Sequence, residues 1–345
     1  MITMTKRLYC ALAVLGLGIS QPAPAHGPSD DFDQAFDRTF SHSSTKTHAA
    51  PARATLPPGF EARLASLASA SQGRIGVAAV DLSNGQGVSV MGDQPFPLAS
   101  TGKIAIVATF LEGVDQGRFR LSDRFPMMYP MPSRRFSQGP APVRPGAMLT
   151  AEQLIELTIT RSDNHATDAL LAAIGGPQAV TRWLRKAGVN GIRLDRDIAT
   201  LVRDDGAVDP ARTIDPRDST TPQAMAVLLA GLYQGQWLSS QSRDVLLGAM
   251  SRCRTGVRRM KALLPSDALV GHKTGTLSNT SSDVGIIRSA DGRTIVVAIY
   301  VTGQGGKPGR EQRIATITRA IYEGYQAETG TALSMTTTPS PIRAR

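Results

Sequence analysis

The sequence contains few cysteines, and this excludes a fold stabilised by disulfides. Only two of its 345 residues are cysteines, Cys10 and Cys253. Cys10 lies in an apolar N-terminal run that we expect to be removed, and a single remaining cysteine cannot form an internal disulfide. The fold must therefore depend on a hydrophobic core, for which a hydrophobic content of 41% is sufficient. We expect Cys253 to be a buried, inert thiol.

Histidine is also scarce, and its spacing argues against a metal site. The chain has five histidines, and no two of them have the helical spacing of zinc ligands, so we expect neither a metal nor a cofactor. A Ser-His-Asp hydrolase is disfavoured because no G-x-S-x-G motif surrounds Ser100. His165 and His272 directly adjoin motif residues. We interpret both as structural, and a catalytic role is the minority alternative.

No apolar run is long enough for a comfortable membrane span. The N-terminus instead has the pattern of a signal peptide over residues 1–25: Lys6 and Arg7, an apolar run over residues 8–19, and Ala23-Pro-Ala25 as a small-residue cleavage site. We expect a secreted or periplasmic protein without a stable membrane span in its mature form. An uncleaved anchor is the alternative.

The net charge is strongly positive, but the basic residues do not form a nucleic-acid-binding pattern. The chain carries a formal charge of +10 and has a pI near 10.0. Its arginines are scattered and do not lie in one stripe interleaved with aromatic residues, and export also argues against nucleic acid as a partner. Attraction to anionic envelope polymers and a composition without binding significance both remain open.

Hydrophobic periodicity divides the chain into a folded unit and two flanking segments. Residues 26–57 and 328–345 have the composition of a disordered linker and a disordered tail, which leaves 58–327 as the folded domain. Helical patterns are predicted over 59–70, 104–116, 151–161, 165–174, 177–187, 222–233, 240–250 and 312–328. Strands are predicted over 74–81, 87–91, 268–276, 283–288 and 293–302. This order predicts an α/β (α+β) fold. Its antiparallel sheet, built from 58–97 and 262–327, is flanked by helices, with an all-α subdomain (98–261) inserted between its second and third strands.

Three short motifs occur where this architecture would bring them together. They are Ser100-x-x-Lys103 at a helix start, Ser162-Asp163-Asn164 before a helix, and Lys273-Thr274-Gly275-Thr276 on a strand. Each alone could be a helix cap or a strand end, and Ser43 and Lys46 repeat the first spacing by chance. Together and in this order they form a specific signature.

With these motifs the sequence resembles the class A serine β-lactamases and the related penicillin-binding serine hydrolases. The resemblance covers most of residues 58–327. It includes the stretches RLDR (193–196), DPRDSTTPQAMA (215–226), TGVRRMKALLP (255–265) and HKTGT (272–276), the last two being most similar to the extended-loop subgroup. It implies a β-lactamase/transpeptidase-like fold and a monomer whose substrate is a small-molecule β-lactam or a D-Ala-D-Ala-type peptide.

The residue types suit acyl transfer. A serine hydroxyl is a weak nucleophile that needs a base, and Lys103, one helical turn from Ser100, can serve if burial or a second cation lowers its pKa. The remaining roles are implied by the resemblance: Lys273 is the second cation and Ser162 is the proton shuttle. The resemblance also implies that Asn164 binds the substrate amide and that the backbone N–H groups of Ser100 and Thr276 form the oxyanion hole. It implies an ion pair between Arg196 and Asp218 at the base of a loop. The implied site for the substrate carboxylate consists of Lys273, Thr274, Gly275, Thr276 and Arg259.

The sequence departs from the family where the acyl-enzyme is hydrolysed. Ile198 occupies the position of the glutamate that activates water, and Val202 that of an asparagine which helps to hold this water. The loop between Arg196 and Asp218 is longer than in common members of the family. It contains four carboxylates: Asp197, Asp204, Asp205 and Asp209. One of them could replace the missing base, or all four could be solvated or helix-capping charges. We therefore expect acylation of Ser100 with slow deacylation. A penicillin-binding D,D-peptidase, another serine amidase or esterase, and an acylated non-enzymatic sensor are alternatives.

Overall fold

A computed structural model describes residue 56 and residues 58–336, with side-chain surroundings up to residue 327. The predicted signal peptide, almost all of the predicted linker and the end of the predicted tail lie outside the described residues. Across the described part of the chain, no helix is both long and apolar enough to cross a membrane.

The described chain alternates between helices and strands. The helices are α1 (Phe60–Leu67), α2 (Lys103–Asp115), α3 (Ala151–Glu156), α4 (Asn164–Ala173), α5 (Pro177–Lys186), α6 (Ile198–Arg203), α7 (Pro222–Gln234), α8 (Ser240–Ser251) and α9 (Lys307–Thr336). The strands are β1 (Ile75–Asp81), β2 (Gly87–Val90), β3 (Phe96–Pro97), β4 (Arg124–Pro130), β5 (Val143–Thr150), β6 (Ile192–Arg193), β7 (Ser219–Thr220), β8 (Leu269–Leu277), β9 (Thr280–Arg288) and β10 (Thr294–Thr302). A 3₁₀ turn (Ala99–Gly102) precedes α2, and a π turn (Leu157–Arg161) follows α3.

The main sheet has five strands in the order β2-β1-β10-β9-β8, and every pairing is antiparallel. One face packs on the terminal helices, where Leu64 of α1 and Ile321 of α9 are completely buried. The opposite face packs on the inserted segment, where Ile104 of α2 and Leu228 of α7 are completely buried. Because helices cover both faces, β1 and β10 are buried along their whole length. The predicted fold class, with its insertion between the second and third strands of the sheet, is confirmed.

The inserted segment is not entirely helical, which corrects the expectation for residues 98–261. It contains the hairpin β4–β5 and, together with β3, the small sheet β3-β7-β6. Prolines and a glycine interrupt both hairpin strands, and the register shifts between Pro126 and Met128, so neither strand has the alternation by which a strand is predicted. The strands of the small sheet have two residues each, too few to give a periodic pattern.

The last helix is longer than the sequence predicts at both ends. Helix α9 runs from Lys307 to Thr336, whereas its apolar periodicity covers only 312–328. Pro308 lies in the first turn, where a proline is tolerated because that N–H has no partner within the helix. Gly330 does not end the helix, since one glycine in a helix costs only about 1 kcal/mol.

The small sheet positions the start of α2 against the loop that spans residues 196–218. Strand β7, at the end of this loop, pairs with β3, which leads into the 3₁₀ turn. The Leu98 N–H donates to the Asp218 carbonyl oxygen at 2.8 Å. The residues immediately before Ser100 are therefore fixed to the base of the loop.

Candidate active site

Ser100 lies in the 3₁₀ turn, one turn before Lys103 at the beginning of α2. Ser100 is partly exposed, whereas Lys103 is completely buried. The preceding residue, Ala99, adopts a left-handed backbone with φ 47°, a conformation that is strained for a residue with a side chain. A partly exposed serine therefore precedes a buried lysine by one turn.

The Lys103 ammonium is surrounded by oxygen atoms of the second motif. Its Nζ donates to the Ser162 carbonyl oxygen and to Asn164 Oδ1, each at 2.7 Å. It also lies 3.3 Å from Ser162 Oγ. Lys273 Nζ approaches the same hydroxyl at 2.9 Å and donates to the Thr274 carbonyl oxygen. Ser162 Oγ is therefore held between the two lysines, as a proton shuttle requires.

The backbone around Ser162 accounts for this arrangement. The π turn ends at Arg161, and the next residue, Ser162, adopts φ 58° and ψ 35°, in the left-handed region. Asp163 then caps α4 by accepting the Ala166 N–H at 2.8 Å. A strained residue between two helical segments allows both Ser162 Oγ and its carbonyl oxygen to reach Lys103.

Burial makes both lysines weaker bases than an exposed lysine. Burial and the nearby Lys273 charge lower the pKa of Lys103 well below its usual value, although Asp163 and Asp168 oppose this effect. Burial also lowers the pKa of Lys273, to about 8. A lysine with a lowered pKa can be neutral and can accept a proton. A second lysine that keeps its positive charge favours the neutral form of the first, because like charges repel. That Lys103 deprotonates Ser100 remains a prediction, and these lowered pKa values are consistent with it.

Strand β8 brings the third motif beside the nucleophile turn. Gly275 is required for this approach, because a Cβ there would lie 2.4 Å from Ser282 Oγ and 3.1 Å from the Ala99 Cβ. The motif residues Lys273 and Thr274 are buried. The close contact places β8 where the Thr276 N–H can pair with that of Ser100 as an oxyanion hole; this role remains a prediction.

Arg259 lies behind Thr276 and is only 2% exposed. Its Nη2 donates to Thr276 Oγ1 at 2.7 Å, and its Nη1 donates to the Gly275 and Ser282 carbonyl oxygens at 2.8 Å. Glu311 lies 3.3 Å from its Nε. The Arg259 guanidinium therefore orients the Thr276 hydroxyl and adds a positive charge next to it. Its direct contact with a substrate carboxylate remains a prediction.

The loop over residues 196–218 is closed at its base as the sequence predicts. Arg196 Nε lies 2.6 Å from Asp218 Oδ2, and Asp218 Oδ1 accepts the N–H groups of Asp195 and Arg196. Within the loop, Ile198 begins the short helix α6, which the sequence did not reveal. Ile198 is 6% exposed and belongs to the hydrophobic core. Val202, four residues later, is 49% exposed.

Sequence reasoning missed Asp168, which fixes the start of α6. Its two carboxylate oxygens accept the N–H groups of Ile198 and Ala199 at 2.7 and 2.9 Å. Burial and the Asp197 charge raise the pKa of Asp168 to about 7, although both N–H groups oppose this. The available signal was its spacing, because Asp168 follows Asn164 by four residues and shares its helix face.

The four carboxylates proposed as substitute bases are all engaged in the structure of the loop. Asp197 caps α6 by accepting the Thr200 N–H, and Asp204 pairs with Arg203. Asp205 accepts the Ser278 N–H, and Asp209 accepts from Asn279 Nδ2 at 2.8 Å. Hydrogen bonds from Arg203 and Asn279, respectively, lower the pKa values of Asp204 and Asp209, which weakens them as bases.

The two histidines of the folded unit contact residues other than Ser100. The His165 ring lies against Tyr129, with a centroid distance of 4.7 Å, and its Nδ1 is 3.9 Å from Asp163. His272 is completely buried, and its Nδ1 is 2.8 Å from Asp283 Oδ1. These contacts support the structural interpretation of both histidines.

The fold, with Ser162 Oγ held between Lys103 and Lys273, is typical of a serine hydrolase that forms an acyl-enzyme. The family model described as "Beta-lactamase enzyme family" matches residues 59–325, and the chain belongs to that family. It is 32% identical to Beta-lactamase CTX-M-25 of Escherichia coli over 266 residues, which are 76% of this chain and 88% of that one. It is 33% identical to a β-lactamase of Streptomyces albus G over 249 residues, or 71% and 77% of the two chains.

Solved structures agree with these relatives. The class A β-lactamase of the last common ancestor of Gram-negative bacteria has a TM-score of 0.66 and 35% identity, and the match covers 77% of this chain and 99% of that one. The acyl-enzyme complex of a leucine-to-glutamate mutant of PBP-A with penicillin G has a TM-score of 0.68 and 26% identity, with coverages of 80% and 100%. The chain is a serine hydrolase of the class A β-lactamase type, acting on the cyclic amide bond of β-lactams.

Proposed function

We propose that this hydrolase forms an acyl-enzyme on Ser100 efficiently and hydrolyses it slowly. The observation that supports slow hydrolysis is the buried Ile198 at the start of α6. Hydrolysis of a serine ester needs a base to activate water, and general-base catalysis typically contributes about 10²–10⁴-fold in rate. The carboxylates of the loop are engaged in caps, ion pairs and contacts with the β8–β9 turn.

In the acylation step, neutral Lys103 accepts the Ser100 proton while Ser100 Oγ attacks the β-lactam carbonyl. The N–H groups of Ser100 and Thr276 stabilise the oxyanion, an effect usually worth a few kcal/mol. The C–N bond then breaks as Ser162 Oγ gives its proton to the departing nitrogen, and the Lys103 ammonium returns a proton to Ser162. The hydrogen bonds around Ser162 Oγ support this route.

Substrate recognition is proposed to depend on the charge of β8. Lys273, Thr274 and Thr276 receive the carboxylate that β-lactams carry, and Arg259 supports Thr276 from behind. Asn164 turns its amide toward the substrate amide while its Oδ1 accepts from Lys103. These roles require a substrate with both an amide and a carboxylate.

Acylation is tested by mixing the protein with penicillin G and measuring its intact mass, with peptide mapping to locate the adduct. We expect one adduct on Ser100. A protein that neither gains an adduct nor releases hydrolysed penicillin would contradict the proposal. Nitrocefin hydrolysis then separates a burst of about one equivalent from continued turnover.

A penicillin-binding D,D-peptidase is the second candidate. Ile198 favours it, since the glutamate at that position is what a β-lactamase uses for rapid turnover, and PBP-A is among the similar structures. The test is release of D-alanine from a peptide ending in D-Ala-D-Ala. Release that is faster than penicillin turnover would favour the peptidase, and no release would favour the β-lactamase.

We also propose that residues 1–25 direct export and are removed. The charged start, the apolar run and Ala23-Pro-Ala25 support this proposal. N-terminal sequencing of the protein from a periplasmic fraction tests it. A mature N-terminus at His26 is expected, and an intact N-terminus in the cytoplasm would contradict it.

A further inference from the structure

Cys253 follows α8 and lies beside the strand that carries the third motif. It is 8% exposed and forms no disulfide within the described residues. Its Sγ is 3.3 Å from Thr255 Oγ1, and Thr255 Oγ1 is 2.6 Å from Thr274 Oγ1. Burial was expected from the sequence, but this thiol is connected by hydrogen bonds to a motif residue.

A buried histidine and a buried carboxylate accompany the thiol. His272 Nδ1 lies 2.8 and 3.0 Å from the two oxygens of Asp283, and both side chains are completely buried. Among the described residues, His272 Nε2 has no hydrogen-bond partner. His272 and Thr274 share one face of β8, and Thr274 Oγ1 contacts Thr255 Oγ1 at 2.6 Å, so the His272 ring lies on the face of β8 beside the segment that carries Cys253. The order thiol, imidazole, carboxylate is one that activates cysteine in enzymes.

The charges favour a thiolate paired with an imidazolium. Burial lowers the pKa of His272, but Asp283 and Cys253 outweigh it and raise this pKa to about 9. Burial raises the pKa of Cys253, but His272 and Thr255 outweigh it and lower this pKa to about 7. The thiolate is the nucleophilic and oxidisable form of cysteine.

We propose that Cys253 is a modification site that small hydroperoxides oxidise to sulfenic acid. The thiolate sulfur attacks one oxygen of hydrogen peroxide, the S–O bond forms and the O–O bond breaks. The departing hydroxide takes the His272 Nε2 proton and leaves as water, so sulfur is oxidised by two electrons and the peroxide is reduced. The small exposed fraction of Cys253 favours an oxidant of this size over bulky disulfides.

Oxidation at this position should also reduce acylation, and this second part rests on the proposed function. The added oxygen needs space where Cys253 packs against Thr255, whose hydroxyl contacts Thr274. The Thr274 carbonyl oxygen in turn accepts a hydrogen bond from Lys273 Nζ. Because a displacement of about 1 Å can cost about 10²-fold in rate, we expect acylation to fall by at least about tenfold.

The first experiment treats the folded full chain with hydrogen peroxide and dimedone, which traps sulfenic acid, and maps the labelled peptide. We expect labelling of Cys253, with a rate that rises with pH and is half-maximal near pH 7, against about 8.5 for a free cysteine. His272→Gln should label about tenfold more slowly at pH 7 because less thiolate is present. A folded protein whose Cys253 stays unlabelled, while the urea-unfolded chain is labelled, would overturn the proposal, as would a half-point near 8.5.

The second experiment measures penicillin acylation after peroxide treatment, with Cys253→Ser as the matched control. Wild type should lose acylation and regain it with a thiol reductant, since sulfenic acid is reversible. Cys253→Ser should acylate equally well with and without peroxide. Labelled Cys253 with unchanged acylation would overturn the coupling, and an equal loss in Cys253→Ser would do the same. An untreated wild type that does not acylate would contradict the proposed function, while dimedone labelling would still decide the reactivity of the thiol.

Discussion

The two sides of the candidate site use charged residues in opposite ways. On the acylation side, Lys103 and Lys273 are completely buried and share the Ser162 hydroxyl. On the loop over residues 196–218, the carboxylates point to neighbouring backbone and side-chain groups and hold the loop in place. Burial lowers the pKa values of the two lysines, whereas hydrogen bonds and ion pairs lower those of Asp204 and Asp209 and so weaken them as bases.

The contacts of Asp205 and Asp209 show what the longer loop gains. Asp205 accepts the Ser278 N–H at 2.9 Å, and Asp209 accepts from Asn279. Both contacts fasten the loop to the turn between β8 and β9, next to the third motif. The longer loop therefore uses these two carboxylates to hold its position against the β8–β9 turn.

The acylation side has its largest dependence on Ser100. We expect Ser100→Ala to lower β-lactam hydrolysis by at least about 10³-fold, because the covalent step is lost. Intact-mass spectrometry with penicillin G should find no adduct. An unchanged melting temperature serves as the folding control, and a residual adduct on another residue would assign the nucleophile elsewhere.

A single carboxylate at position 198 should be sufficient to accelerate deacylation. We expect Ile198→Glu to accelerate deacylation by about 10²–10⁴-fold, since it places a base at the start of α6. Ile198→Gln is the matched control, because it introduces a side chain of similar size at the same position without a carboxylate. The measurement is the decay of the penicillin adduct. A long-lived adduct in both variants would mean that the loop holds position 198 away from the ester.

Lys273 is expected to contribute to substrate recognition through its positive charge. Lys273→Ala should lower kcat/KM for penicillin G by about 10²-fold, because a buried cation is lost at the carboxylate site. Lys186→Ala is the control, since its side chain is 73% exposed and pairs with Glu112 on the surface. Unaltered kinetics in Lys273→Ala would show that β8 does not border the site.

The pH dependence of acylation follows from the same residue. Burial lowers the pKa of Lys273 to about 8. As the pH rises through this value, Lys273 loses its positive charge and its attraction for a carboxylate. We expect kcat/KM for acylation to fall above about pH 8, measured with a carboxylate-bearing β-lactam. A profile that remains flat to pH 10 would indicate that Lys273 is not the carboxylate receptor.

The smallest effect is expected at Asp168, which joins the two sides. Burial raises its pKa from 3.8 to about 7. A carboxyl with a raised pKa stabilises the fold below its unfolded pKa and loses this contribution as the pH rises through its folded pKa. Relative to Asp168→Asn, the unfolding free energy of wild type should therefore decrease by about 1–3 kcal/mol from pH 4 to pH 8.

Denaturant titrations at several pH values measure this difference. Asp244→Asn is the control, because the Asp244 side chain is 73% exposed. A wild type that gains stability relative to Asp168→Asn as the pH rises would contradict the assignment. It would indicate that the charged carboxylate is the form that the Ile198 and Ala199 N–H groups stabilise.

The sequence predicts the acylation side better than the loop side for a physical reason. Ser100 and Lys103 are one helical turn apart, and the large sheet follows from strong apolar periodicity. Asp168 could not be assigned, because nothing local relates it to Ile198, thirty residues away. The carboxylate of Asp205 has a distant partner too, in the β8–β9 turn. Long-range contacts of this kind arise from packing and leave no periodic pattern.

The lifetime of the Ser100 adduct in the wild-type chain tests the contrast between the two sides most directly. The chain is mixed with excess penicillin G, quenched at successive times and examined by intact-mass spectrometry, while nitrocefin hydrolysis is followed by stopped flow. We predict rapid, nearly complete acylation, an adduct that persists as the dominant species, and a nitrocefin burst followed by slow turnover. Rapid turnover without a burst and without an accumulated adduct would contradict this prediction and show that the loop supplies a base.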